Sequence, residues 1–173
     1  FLRPAEEAAA WVAANRRDEV ATSGTSLLAY DASAPLGTEE RGVETRGAAQ
    51  VHDIVYTSPK GGQVPAYLVV PSRPGRHAGV VFVHHGQGNR QVFLEEAVTL
   101  AGRGVVSLLI DAPEARPGAR PGHRPDPSFD LAERVQGIID VRRAFDLLAS
   151  RADVDPQRLA YVGYSLGATL GAT

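Results

Sequence analysis

Leu159-Ala160-Tyr161-Val162-Gly163-Tyr164-Ser165-Leu166-Gly167-Ala168-Thr169-Leu170-Gly171-Ala172-Thr173 is the stretch whose reading decides the fold. The apolar run to Val162 predicts a strand, and the small residues after Ser165 predict a helix. Between them stands Gly163-Tyr164-Ser165-Leu166-Gly167, a Gly-x-Ser-x-Gly pattern on a strand-to-helix turn. A serine there is held on a strained elbow with its hydroxyl above the sheet. Gly163 and Gly167 allow the close backbone approach that the elbow needs. Leu166 N–H opens the helix and can face a developing oxyanion. The bare pattern is weak, and its placement gives it meaning. The plain alternative is a glycine-rich turn with a spectator serine.

Upstream, the chain alternates strand and helix. Residues 78–83 and 105–110 are continuous apolar runs, suited to parallel strands covered on both faces. Residues 91–101 and 131–149 carry apolar residues at helical spacing. In the second helix Leu131, Val135, Ile138, Phe145 and Leu148 are expected to face the core, with Asp130 as N-cap. Arg142, Arg143 and Asp146 are expected to form ion pairs. A turn is expected at 153–156, before a strand opening at Leu159. Residues 51–56 and 64–70 flank Ser58-Pro59-Lys60-Gly61-Gly62 and predict an antiparallel hairpin. Residues 1–50 are read as a leader, helical over 4–20 with Trp11 as a packing anchor and irregular from there. Residues 112–128 carry proline at every fourth position, which forbids a helix and predicts a loop. Its arginines could select an acidic substrate, but a solvated insertion is the simpler reading. This order of elements predicts an α/β sheet with helices on both faces and a site beyond the strand C-terminal ends.

The bulk composition narrows the function classes. A chain of 173 residues with a net charge of -2 gives no sign of a nucleic-acid or anionic-membrane partner. There is no cysteine, so disulfides and thiolate metal sites are excluded. No apolar run reaches membrane-spanning length. The Ala-rich opening follows Glu6 and Glu7 rather than a basic region, so no signal peptide is expected and a cytoplasmic location is favoured. Residue 1 is Phe, from which a processed chain or a piece of a longer one is expected.

A second piece of chemistry follows the strand at 78–83. His84-His85-Gly86-Gln87-Gly88-Asn89 is a glycine-rich loop at a strand C-terminus. Acyl transfer needs at least two N–H donors at the oxyanion, and this loop can supply the partner of Leu166. Gln87 N–H is the first choice and Gly86 N–H the second. The adjacent histidines point to opposite faces and lack accompanying ligands, so no metal and no cofactor is expected. His85 is expected to order the loop by hydrogen bonding to nearby backbone.

These features together resemble an α/β-hydrolase. They are the His-Gly-x-Gly loop, Asp111 ending the next strand, the helix containing Asp140-Val141-Arg142-Arg143-Ala144, and Gly163-Tyr164-Ser165-Leu166-Gly167. The similarity is nearest to the dienelactone-hydrolase-like and acetyl-xylan-esterase-like branch, and the hairpin at 56–68 resembles that branch's opening. It covers 51–173 and implies an α/β-hydrolase-type, mostly parallel sheet. The implied function is a serine esterase acting on a small-molecule carboxylic ester, with Ser165 as nucleophile. In such enzymes the acid and histidine follow the serine. Residues 166–173 contain neither, so the resemblance implies the N-terminal part of a hydrolase domain, inactive alone. Two alternatives stay open: a prolyl-oligopeptidase-type peptidase, and a non-catalytic α/β-hydrolase-like binding module.

Overall fold

The structure is a computed structural model that describes residues 27–119 and 127–172, without the side chains of 127–130. The helix expected over 4–20, with Trp11, lies outside the described residues, as do Arg120 and Arg124 of the proline-rich stretch. The strands are β1 (Glu39–Arg46), β2 (Ala49–Thr57), β3 (Gln63–Pro71), β4 (His77–Val83), β5 (Val105–Ile110) and β6 (Val154–Gly163). The helices are α1 (Leu94–Gly102), α2 (Pro127–Ser150) and α3 (Leu166–Leu170), with a 3-10 turn at Pro113–Ala115.

The six strands form one sheet in the order β1-β2-β3-β5-β4-β6. Its core is parallel: β4 lies between β5 and β6 and pairs parallel with both. The first three strands run antiparallel in sequence order, and β3 joins β5 antiparallel. Ser58 and Gly62 close the β2–β3 hairpin through Ser58 N–H to Gly62 O at 3.0 Å, as expected from the Ser58-to-Gly62 segment.

The apolar runs of β4 and β5 serve two faces at once. Val81 and Val83 join Val106, Leu108 and Ile110 in a cluster under α2, with Val141, Ala144, Leu147 and Leu148. Val80 and Phe82 join Leu109 in a second cluster under α1, with Leu94, Ala97 and Ala101. A side-chain period of two sends alternate residues to opposite faces, and helices on both faces bury all but the first residue of each run, Ala78 and Val105, which are half-buried. This is the architecture expected from the alternating elements.

Several expectations are corrected. Residues 39–46, read as irregular leader, form β1. Seven of its eight positions are exposed, so no hydrophobic period marks it. It is held by backbone pairing to β2 through the two-residue turn Gly47-Ala48, with Gly47 at φ 57°, and by Glu40 against His52 at 2.6 Å. Residues 127–130 are helical, so α2 begins earlier than expected and Asp130 lies inside it rather than at its N-cap. The buried side of α2 also differs. Leu148 is buried and Ile138 and Phe145 pack against the core as expected, but Leu131 is 54% exposed, and Ile139, Asp140, Val141, Arg143, Ala144 and Leu147 are buried as well. Two charged residues on the inner side hide that stripe from hydropathy. β6 starts at Val154, but its regular pairing with β4 runs from Leu159, as expected. Between them Asp155 to Arg158 bulge out, and Asp155 accepts from Gln157 N–H at 3.1 Å and Arg158 Nε at 3.1 Å.

Residues 27–38 lie against α2 and β2. Arg143 Nη1 donates to Ala32 O at 2.9 Å and pairs with Asp146 at 3.2 Å, while Nη2 donates to Ala34 O. Tyr30 Oη donates to Asp146 at 2.9 Å; burial, then Asp146 itself, pushes the Tyr30 pKa up to about 12. The expected Arg143–Asp146 pairing is present, and it anchors the leader. Among the described residues no helix is long and apolar enough to cross a membrane.

Candidate active site

Ser165 sits between β6 and α3 with φ 53° and ψ -107°, and it is the one non-glycine residue with positive φ among those described. An L-residue in that region carries strain of about 1–3 kcal/mol and persists only where its surroundings hold it there. Here the surroundings are identifiable. A Cβ at Gly163 would lie 2.5 Å from Gly167 C and 2.7 Å from Ala168 N. A Cβ at Gly167 would run into Val83 O and lie 3.0 Å from His84 O. Backbone crowding thus leaves no room for a side chain at Gly163 or Gly167. Tyr164 N–H donates to Val83 O at 3.2 Å and Gly167 N–H to His84 O at 3.1 Å, which joins the turn to the end of β4. Tyr161 Oη donates to Gly167 O at 2.6 Å from beneath. Burial raises the Tyr161 pKa to about 12.

The turn places Ser165 on the surface and Leu166 at the start of α3, and the loop after β4 lies alongside. A Cβ at Gly86 would be 4.0 Å from Leu166 Cβ, so the two expected donor segments are neighbours. The hydrogen bonding separates the two candidate donors of the loop. Gln87 N–H donates to His85 Nδ1 at 3.3 Å. Gly86 N–H and Leu166 N–H make no hydrogen bond among the described residues. Gln87, the first choice from sequence, therefore has its donor engaged, while Gly86, the second, does not.

The two histidines have separate roles. His84 is buried, and its Nε2 accepts from Ala112 N–H at 3.0 Å. A backbone N–H only donates, so Nδ1 carries the ring proton and donates to His85 O at 2.6 Å. His85 accepts from Gln87 N–H, as expected for a loop-ordering side chain, and its ring meets Tyr164 edge-on at 5.7 Å. No group of three or more potential metal ligands occurs among the described residues.

Sequence reading missed a polar network around this loop. Asp111 accepts from Arg90 N–H at 2.6 Å and Arg90 Nη1 at 2.9 Å, while Arg90 Nη2 reaches both Asp53 oxygens at 3.2 Å. The guanidinium also lies over the Tyr67 ring, 4.6 Å from its centroid. Burial opposes the Arg90 charge, but Asp111 and Asp53 outweigh it and push its pKa up. Arg116, read as part of a solvated loop, donates twice to Asp111 O at 3.1 Å and pairs with buried Asp140 at 2.5 Å. Ser58 Oγ donates to Asp140 and Tyr56 Oη to its carbonyl. Burial raises the Asp140 pKa, and Arg116 and Ser58 act against that rise. The available signal was Asp111 at a strand C-terminus with arginines in both neighbouring loops.

Two cavities of about 500 and 300 Å³ lie along α2 and share Arg142 and Phe145. Neither is lined by Ser165, Gly86 or Gln87.

No family model matches the chain. Two uncharacterized proteins of Mycobacterium tuberculosis, from strains CDC 1551 and H37Rv, are 33% identical over 121 residues, covering 68% of this chain and 38% of theirs. An acetyl xylan esterase from Paenibacillus sp. R4 superposes with a TM-score of 0.65 at 26% identity, over 79% of this chain and 48% of that one. Acetyl xylan esterase 1 from Thermoanaerobacterium sp. JW/SL YS485 gives 0.70 at 16% identity, over 83% and 50%. A glucuronoyl esterase from Solibacter usitatus gives 0.55 at 15% identity, over 79% and 47%. The fold is that of the α/β-hydrolases, shared with these esterases. The chain spans less than two fifths of the curated relatives' length and about half of each solved esterase.

Proposed function

We propose that this chain is the nucleophile-bearing part of a carboxylic-ester hydrolase of the serine type, nearest to the acetyl-xylan-esterase-like and dienelactone-hydrolase-like branch. The observation that carries the reading is Ser165 in a left-handed conformation at a β6–α3 turn whose flanking glycines have no room for a Cβ. Ser165 Oγ attacks the ester carbonyl carbon and its proton passes to a general base. The carbonyl oxygen becomes an oxyanion between Leu166 N–H and an N–H of the 84–90 loop. Gly86 N–H is the better placed of the two loop donors, because Gln87 N–H must first leave His85 Nδ1. Collapse of the tetrahedral intermediate expels the alcohol, which takes up the proton from the base. Water then attacks the acyl-enzyme and releases the carboxylic acid. Residues 166–173 contain no histidine or carboxylate and the chain spans about half of each solved esterase, so the base and its acid are assigned to the part of the hydrolase domain outside this chain. Residues 51–173, together with β1, form the N-terminal part of that hydrolase domain.

The test is hydrolysis of p-nitrophenyl acetate by the full-length protein carrying this sequence and by its Ser165→Ala variant. Loss of turnover by about three orders of magnitude or more is expected from removing the nucleophile. Unchanged turnover in Ser165→Ala would remove Ser165 from the mechanism. The chain 1–173 alone is expected to show little turnover. Robust activity abolished by both Ser165→Ala and His85→Ala would instead make His85 the base.

A further inference from the structure

We propose that Arg90 is a positioning residue that sets the oxyanion loop by clamping its end to β5 and β2. The inference rests on the esterase reading for its catalytic consequence, and on geometry alone for the clamp. The loop between β4 and α1 is tied to the crown of β5 at both ends. At its start, the His84 ring bridges Ala112 N–H and His85 O. At its end, Arg90 gives both its backbone N–H and a guanidinium N–H to Asp111. Gly86 and Gln87 lie between these ties, so their N–H directions follow from both.

Arginine is required there for a geometric reason. One guanidinium reaches Asp111 at 2.9 Å with one nitrogen and both Asp53 oxygens at 3.2 Å with another, while its plane lies over Tyr67. A planar fork can serve two carboxylates and a ring together, whereas an ammonium is a single point charge. The Asp111 side chain is 7% exposed and that of Arg90 19%, so water is a poor substitute for either contact. Asp111 is itself held from behind, because Arg116 donates twice to its carbonyl. The clamp therefore joins loop, sheet and α2 through Arg116 and Asp140.

The experiment compares Arg90→Lys with the wild type in the full-length protein carrying this sequence. Lysine keeps the neutralising charge, so a role limited to charge balance would be rescued by it. Amide exchange at Gly88 and at position 90, whose N–H groups bond within and at the end of the loop, is expected to accelerate at least tenfold. Exchange at Val81 and Leu108 in the core should be unchanged. In p-nitrophenyl acetate hydrolysis, kcat should fall about tenfold with KM unchanged, because oxyanion donors act mainly in the transition state. Wild-type exchange rates at both loop amides in Arg90→Lys would overturn the clamp. Faster loop exchange with an unchanged kcat would overturn its positioning role in catalysis. A wild-type protein without ester turnover would sink the esterase reading and with it the catalytic role, while the exchange comparison would still decide the clamp.

Discussion

Gly167 N–H donates to His84 O at 3.1 Å, so the Ser165 turn is bonded directly to the loop proposed to face the oxyanion. The bond requires the two backbones to approach as closely as they do, and a Cβ at 167 would collide with Val83 O. Gly167→Ala is therefore expected to destabilise the fold by about 3 kcal/mol, since the obstacle is β4 backbone rather than a movable side chain. Urea unfolding measures this. A loss under about 1 kcal/mol would mean that the turn can separate from β4 at little cost.

Ser165 invites the opposite experiment. Its φ of 53° is unfavourable for any L-residue and open to glycine. Ser165→Gly is expected to gain about 1 kcal/mol relative to Ser165→Ala, after allowing for glycine's larger unfolded-state entropy. Both variants should lack turnover. Equal or lower stability in the glycine variant would show that the turn stores no strain.

Arg116 and Asp140 form an ion pair whose side chains are 11% and 0% exposed. Arg116→Met leaves the carboxylate buried without its countercharge and is expected to cost about 3–5 kcal/mol. Adding Asp140→Asn should recover much of that loss. A double variant as unstable as the single one, in thermal unfolding, would show that the arginine acts through Asp111 O rather than through Asp140.

Tyr161 gives a pH dependence with a definite sign. Burial raises its folded pKa to about 12, against about 10 in the unfolded chain. The folded state holds the phenolic proton more tightly, so its contribution is fully present below pH 10 and is lost as pH rises through about 12. Tyr161→Phe should lose less stability than wild type over that window, though it starts lower for want of the bond to Gly167 O. Absorbance titration of phenolate together with unfolding at stepped pH checks both points. A Tyr161 that ionises near pH 10 in the folded protein would refute the assignment.

The sequence by itself determined the parallel core and the tight turn at Ser165. The apolar runs at 78–83 and 105–110 are buried on both faces, which leaves an unbroken local pattern, and Gly163 and Gly167 mark a backbone contact that tolerates no side chain. Tertiary structure alone decided the rest. β1 is exposed along nearly its whole length and exists through backbone bonds to β2, which no side-chain period records. Asp140 and Arg143 are inner residues of α2 because partners distant in sequence satisfy them, Ser58 for one and Ala32 for the other. The engagement of Gln87 N–H by His85, and the placing of Arg90 between Asp111 and Asp53, depend on where loop and sheet meet in space. Hydrophobic burial follows a periodicity that can be read along a chain, whereas polar partners are chosen across it.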